Sequence, residues 1–392
     1  MLNTLIPGND EAVDLNSSIT ISSAIFMSVI GADVFIVQPG FVLGMVQYMG
    51  FDEKVAADIA SVEMWGIAIT TVIMTFFAQR FNWRHVFFIS LLITILGNIA
   101  SLFVDAPLLF GITRFIVGFG AGGLVSLSFT VVGLTAKPDR NFAYLIMWVL
   151  FYGAIVMMAM PTAYQLVGMS GVLVFLALLS AIGLYFVHFL PASGEEHAQA
   201  EEDAVNLPDN YKYIAILAMF LYFLGHGVVW AYLFLIGIIG GGSEQEIANG
   251  LTLSQFGGIV GAITAAMIGI KYGRSLPLSI GILGTFIPFF WLFGSMGALV
   301  YTIAVCVYNY SWNLTHPFLL AAMASFDRSG RVVTIAVAAQ MLGLANGPWI
   351  AARVFTEGDF SNVIWLGIML FSASLLLILP PVLKQRSLAQ KS

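Results

Sequence analysis

The sequence predicts an all-α integral membrane protein: twelve transmembrane helices in two pseudo-symmetric six-helix bundles. Three observations carry this. The 392 residues are 59% hydrophobic and only 9% charged, with a mean hydropathy of +0.94, whereas a soluble domain carries about 25% charged residues. Too little polar surface remains to cover a soluble core of this size. The apolar runs are continuous over about twenty residues, the length at which a helix crosses roughly 30 Å of hydrocarbon, and do not alternate as barrel strands do. Basic residues recur at one fixed spacing in the two halves. A cytoplasmic enzyme, a nucleic-acid binder and a disordered chain are thereby excluded.

Twelve apolar segments follow one another at 20–47, 56–79, 84–104, 107–135, 140–166, 170–190, 213–239, 246–270, 275–295, 297–323, 331–355 and 360–383. Span 1 follows an acidic lead (Asp10, Glu11, Asp14) without Lys or Arg, so no cleavable signal peptide is expected. Pro39 frees a carbonyl within it and is expected to kink it. Spans 2 and 3 are separated by Arg80 and Arg84, spans 4 and 5 by Lys137 and Arg140. The stretch 191–212 (PASGEEHAQAEEDAVNLPDNYK) is polar, acidic and bounded by Pro191 and Pro208. It reads as a cytoplasmic linker between an N-terminal half, 1–190, and a C-terminal half, 213–392. Lys271 and Arg274 separate spans 8 and 9, Arg328 and Arg331 spans 10 and 11, and Lys384, Arg386 and Lys391 follow span 12. The lone Cys306 lies inside span 10, so neither a disulfide framework nor a cysteine metal site is expected.

Basic residues stay on the cytoplasmic side. With the N-terminus inside, twelve Lys and Arg fall in cytoplasmic loops or tails; only Lys54 and Arg353 fall outside, and Arg114 lies within span 4. A missed helix would invert every later loop, so this bias also supports the count. The chain is expected to be a multi-pass protein of the cell (inner) membrane with both termini cytoplasmic. Arg80 and Lys271 are 191 residues apart, as are Lys137 and Arg328, and Arg140 and Arg331. Such repeats place a substrate site between the halves near the midplane.

Ionisable groups inside spans are costly and mark function by default. Asp33 lies in span 1, Glu63 in span 2, Arg114 in span 4, His226 in span 7 and His316 in span 10. Leaving out Glu63, these occupy the first and fourth helices of each half, as expected if four helices line one polar cavity. Asn309, Trp312, Asn313 and His316 share one helical face, and Tyr222, His226 and Trp230 share another. Gln38 follows Asp33 in span 1. Aromatic faces with a few polar groups suit an organic solute. At about 1.5 Å per residue, Asp33 and Arg114 lie at similar depths, so a pair between them is feasible. An acid held between burial and a guanidinium can load and release a proton as the cavity changes sides. Glu63, beside Trp65, reads either as a second proton site or as an interfacial carboxylate.

At Leu109–Gly123 the chain reads LFGITRFIVGFGAGG, an Arg followed by closely spaced glycines. Residues 79–84 read QRFNWR and 270–275 read IKYGRS, two degenerate copies of a D-R-x-G-R-[RK] loop without its Asp. Span 11 carries Gly343-x-x-x-Gly347-Pro348. With twelve spans and a long central loop, the whole chain resembles the major facilitator superfamily. That resemblance implies a proton-coupling role for Arg114 and gating loops at Arg80, Arg84, Lys271, Gly273 and Arg274.

The function expected is secondary active transport, proton-coupled, of a small organic solute of amphipathic or aromatic character, by alternating access. Export by antiport is favoured by the aromatic cavity and its span-1 acid. Import of an organic acid by proton symport is the alternative. Asp33, Arg114 and Glu63 are the coupling candidates. Gln38, Tyr222, His226, Trp230, Asn309, Trp312, Asn313 and His316 are the binding candidates. No nucleotide-binding loop is present in the sequence; no cofactor or metal is expected, the energy coming from a proton gradient. The partners expected are the solute and the lipid bilayer, with no nucleic acid and a monomeric chain. Gly168-Met169-Ser170-Gly171 has the form of an intramembrane protease motif, but it sits in an outer loop without a histidine at its depth.

Overall fold

Inside hydrocarbon no water satisfies a backbone N–H or C=O, so each crossing segment must close its own hydrogen bonds. The computed structural model, which describes residues 13–193, 205–269, 271–327 and 331–390, is accordingly built of helices. In chain order they are α1 (Ser18–Gly31), α2 (Asp33–Ile36), α3 (Gln38–Gln47), α4 (Glu53–Phe77), α5 (Trp83–Ser101), α6 (Pro107–Gly133) and α7 (Pro138–Phe186). After the linker come α8 (Asp209–Trp230), α9 (Leu233–Ile239), α10 (Glu244–Ile268), α11 (Ser275–Phe286), α12 (Ala298–Ser325), α13 (Arg331–Val354) and α14 (Ser361–Ala389). Residues 194–204, which make up half of the anticipated linker, and Arg328 lie outside the described residues.

Helix starts follow local chemistry. Asp52 accepts the Lys54 N–H at 2.8 Å, Asn82 accepts that of His85 at 3.2 Å, and Ser243 and Glu246 form a reciprocal capping box. The twelve segments read from the sequence all fall on helical elements, in three cases divided differently. Span 1 is broken at Ala32 and Val37 into α1, α2 and α3. Pro39, which has no N–H to give, sits in the first turn of α3. Span 7 is broken between α8 and α9. Spans 5 and 6 run together as α7, where Gly168 alone is non-helical (φ 65°, ψ −169°). A straight helix of 49 residues would be about 74 Å long, more than twice the hydrocarbon thickness; the glycine divides it into two crossings.

Packing repeats across the molecule. Helix α4 packs on α6 as α10 packs on α12; α5 on α6 as α11 on α12; and α4 on α13 as α7 on α10. The 191-residue offset of the loops reappears at these crossings. A Cβ on Gly66 would collide with the Phe115 carbonyl, and one on Gly257 would press on that of Cys306. Thr70 donates to the Phe119 carbonyl at 2.8 Å; its counterpart Gly261 lets α10 meet the Tyr310 carbonyl directly. Glycines at crossings let helices approach where lipid gives no hydrophobic drive. Large apolar side chains such as Leu178, Ile182, Val260, Ile263 and Leu376 remain exposed on the outside, as a lipid-facing surface requires.

Candidate functional site

Two sites emerge, adjacent but distinct. The first is a charged cluster within the first six spans. Gly118 brings α6 against the backbone of Glu63, and this crossing places Arg114 beside the Glu63 side chain. Arg114 Nε donates to Glu63 Oε2 at 3.1 Å, Nη2 forms an ion pair with Oε1, and Nη1 donates to Asn98 Oδ1 at 2.7 Å. The guanidinium lies over the Phe41 ring, 5.0 Å from its centroid. Arg114, Glu63 and Asn98 are all buried.

The anticipated Asp33–Arg114 pair is replaced by Glu63–Arg114. Asp33 opens the short helix α2, is buried, and accepts the Val34 N–H at 2.6 Å; among the described residues it makes no ion pair. Equal depth left the partner open, and the α4–α6 crossing selects Glu63. Gln38 is buried at the start of α3.

The second site is a cavity of about 170 Å³ between the first and last six spans. Its apolar wall comes from α1, α2, α4, α6 and α7, with Phe35, Met64, Phe129 and Val149 among the residues. Most of its polar atoms come from the other side: Asn309, Asn313 and His316 on α12 and Gln340 on α13, with Trp230, Trp312 and Phe223 between them; Ser28 on α1 adds a hydroxyl that makes no hydrogen bond among the described residues. All four spans anticipated to line a cavity do so, joined by spans 2, 5 and 11. Of the binding candidates, Trp230, Asn309, Trp312, Asn313 and His316 reach the lining; Gln38, Tyr222 and His226 do not, and neither do Asp33, Glu63 or Arg114.

His226 forms a layer behind this wall. Its ring stacks on Trp312 at 3.9 Å and 22°, its Nδ1 is 2.7 Å from the Tyr308 hydroxyl, and Tyr222 meets it edge-on at 4.5 Å. His316 Nε2 lies 3.0 Å from Gln340 Oε1. Asn313 donates to Asn309 Oδ1 at 2.9 Å, and Asn309 to Ser254 Oγ at 3.3 Å. Gln340, Asn98 and Ser254 carry no ionisable group, so the charge pattern of the sequence does not mark them. The available signal was weaker: isolated amides and hydroxyls inside otherwise apolar spans.

The gating candidates lie at the basic end. Arg80 lies over Phe77 (5.2 Å), and buried Arg84 donates to the Leu190 carbonyl at 2.6 Å. Lys271, Gly273 (φ 69°) and Arg274 line a groove with Arg386. The opposite end is closed by contacts between the first and last six spans. Arg353 pairs with Asp58, and Tyr48 donates to Glu244 Oε2 at 3.3 Å. Tyr232 donates to the Glu53 carbonyl at 3.2 Å and Gln245 to that of Met158 at 3.3 Å. Ser61 bonds the Ala345 carbonyl.

Residues 23–241 match the model of the family described as Major Facilitator Superfamily. The "Putative niacin/nicotinamide transporter NiaP" of Bacillus subtilis (strain 168) is 28% identical over 138 residues, 34% of each chain. The chain thus aligns with about a third of the length of that relative. A crystal structure of a D-xylose–proton symporter has a TM-score of 0.73 at 17% identity, covering 92% of this chain and 96% of the other. The xylose transporter XylE from E. coli, in a partially occluded inward-open conformation, has a TM-score of 0.70 at 15% identity, covering 91% and 97%. At these identities the likeness is one of fold.

Proposed function

The chain belongs to the Major Facilitator Superfamily, and from that premise we propose that it couples proton movement to transport of a small, flat organic solute. It is a multi-pass membrane transporter rather than an enzyme. The observation that carries the finer reading is the separation of the aromatic, amide-bearing cavity from the buried charged cluster. Drug-sized ligands occupy sites of roughly 300–1,000 Å³; about 170 Å³ suits a smaller molecule, a single ring with a polar substituent. The niacin/nicotinamide relative points to the same size class.

Glu63 and Arg114 compensate one another, while Asp33 has no cation partner among the described residues. Burying an unpaired charge is expensive, so Asp33 is the proposed proton carrier and the Glu63–Arg114–Asn98 cluster its neighbouring field. Antiport by direct competition needs the proton and the solute on one acid. Here the acid stands off the cavity, so both can be carried together. Proton symport, and with it import, is therefore the preferred direction; export by antiport is the second reading, favoured by the aromatic wall. In the proposed cycle the halves 1–190 and 213–392 rock about the cavity, with the Asp58–Arg353 end facing outside and closed.

Proteoliposomes with an imposed pH gradient and a panel of small aromatic solutes test this. Inward proton flow should accumulate a solute. Asp33→Asn should abolish accumulation while leaving equilibrium exchange. Full accumulation by Asp33→Asn would refute the assignment, and solute-driven proton flow in the opposite sense would establish antiport.

A further inference from the structure

The polar atoms of the cavity wall carry information about the solute's charge. We infer that the cavity selects an uncharged aromatic carboxamide over the corresponding carboxylate; this rests on the transport reading above. The hydrogen bonds among the lining residues determine which atoms remain for a solute. With Gln340 Oε1 as acceptor, His316 Nε2 carries the ring hydrogen, so Nδ1 is left as a lone pair and the Gln340 NH₂ as a donor. Asn313 spends its NH₂ on Asn309, at 3.0 Å to the backbone carbonyl and 2.9 Å to Oδ1, and keeps its own Oδ1 as an acceptor. The Asn309 NH₂ is spent on Ser254. Trp230 gives its indole N–H to the Phe35 carbonyl at 3.0 Å and offers only its ring.

The lining therefore presents two acceptors, one amide donor and, from α1, the unpartnered Ser28 hydroxyl, which can serve as either, all neutral. A primary carboxamide supplies both complements: its NH₂ for Asn313 and His316, its carbonyl for Gln340. A carboxylate supplies acceptors only and would face two lone pairs. Among the described residues, no Lys or Arg that could rescue it lines the cavity; Arg114 lies off it and is bonded by Glu63 and Asn98. A site built to hydrogen-bond one group rejects an analogue that leaves polar atoms unpaired, often by large factors, and an unpaired buried charge adds to that penalty. The rings of Trp230 and Trp312 take the flat face of the solute.

The test is counterflow in proteoliposomes without a pH gradient, at about pH 7.5, where a simple aromatic acid is ionised. The probes are pyridine-3-carboxamide and pyridine-3-carboxylate. Carboxamide exchange is expected to exceed carboxylate exchange by about tenfold or more, a difference of about 1.4 kcal/mol. Gln340→Met should raise the half-saturation concentration for the carboxamide with little change in maximal rate. Asn313→Lys should shift the preference toward the carboxylate. Elution as a monodisperse peak in detergent checks that each variant folds. Equal or faster carboxylate exchange by the wild type overturns the inference. So does exchange of neither probe while other aromatic solutes accumulate, a result that leaves the transport reading intact. Failure of the whole solute panel to move refutes the transport reading itself.

Discussion

Arg114 and Asp33 show how differently two buried charges can be accommodated. Removing one partner of a buried ion pair strands the other, at a cost of roughly 3–5 kcal/mol, whereas removing both is close to neutral. Arg114→Met is therefore expected to lower thermal stability in detergent sharply. Adding Glu63→Gln should recover most of the loss, an outcome specific to the Glu63–Arg114 pair. If the double variant is no more stable than the single one, the pair is not the reason for the loss. The Arg-and-glycine run at Leu109–Gly123 singled out Arg114 from sequence alone, and a carboxylate inside span 2 singled out Glu63. Their pairing was hidden, because depth along one helix says nothing of rotation about its axis.

The elements are set by crossings as much as by hydropathy. A side chain at Gly118 meets the Glu63 carbonyl, a backbone atom that has no rotamer to escape into. Gly118→Val should therefore abolish recovery of folded protein from membranes, read by size-exclusion profile. A methyl added at Gly168 would meet nothing within 4 Å; only the positive φ opposes it. Gly168→Ala should fold, losing about 1–3 kcal/mol from backbone strain. If both variants behave alike, close packing is not what the span-4 glycines supply. Breaks within spans 1 and 7 were harder to read. Pro39 marked one, but nothing in the composition of 229–234 marks the other.

At the scale of the whole molecule, Arg353 is, in the proposed orientation, one of two basic residues placed outside, and it pairs with Asp58 across the closed end. Both side chains are partly exposed, so the pair is worth at most about 1 kcal/mol. Arg353→Ala should thus shift the population toward an opened end by no more than about fivefold. The readout is labelling of Ser61→Cys by an impermeant thiol reagent, in a Cys306→Ser background, since Ser61 is buried against Ala345 at that end. Unchanged labelling would show that the apolar contacts, and not this pair, hold the end shut.

What the sequence determined by itself was the lipid environment, the succession of spans and the 191-residue repeat. Each follows from local composition and from the rule that a helix in hydrocarbon must satisfy its own backbone. It also named four of the seven spans that meet at the cavity. The tertiary structure alone decided which side chains face it. Helix rotation and crossing placed Asn309, Asn313, His316 and Gln340 on the wall, set His226 behind Trp312, and drew Arg114 away from Asp33 to Glu63. Rotation is fixed by packing between residues distant in the chain, and no local pattern encodes it.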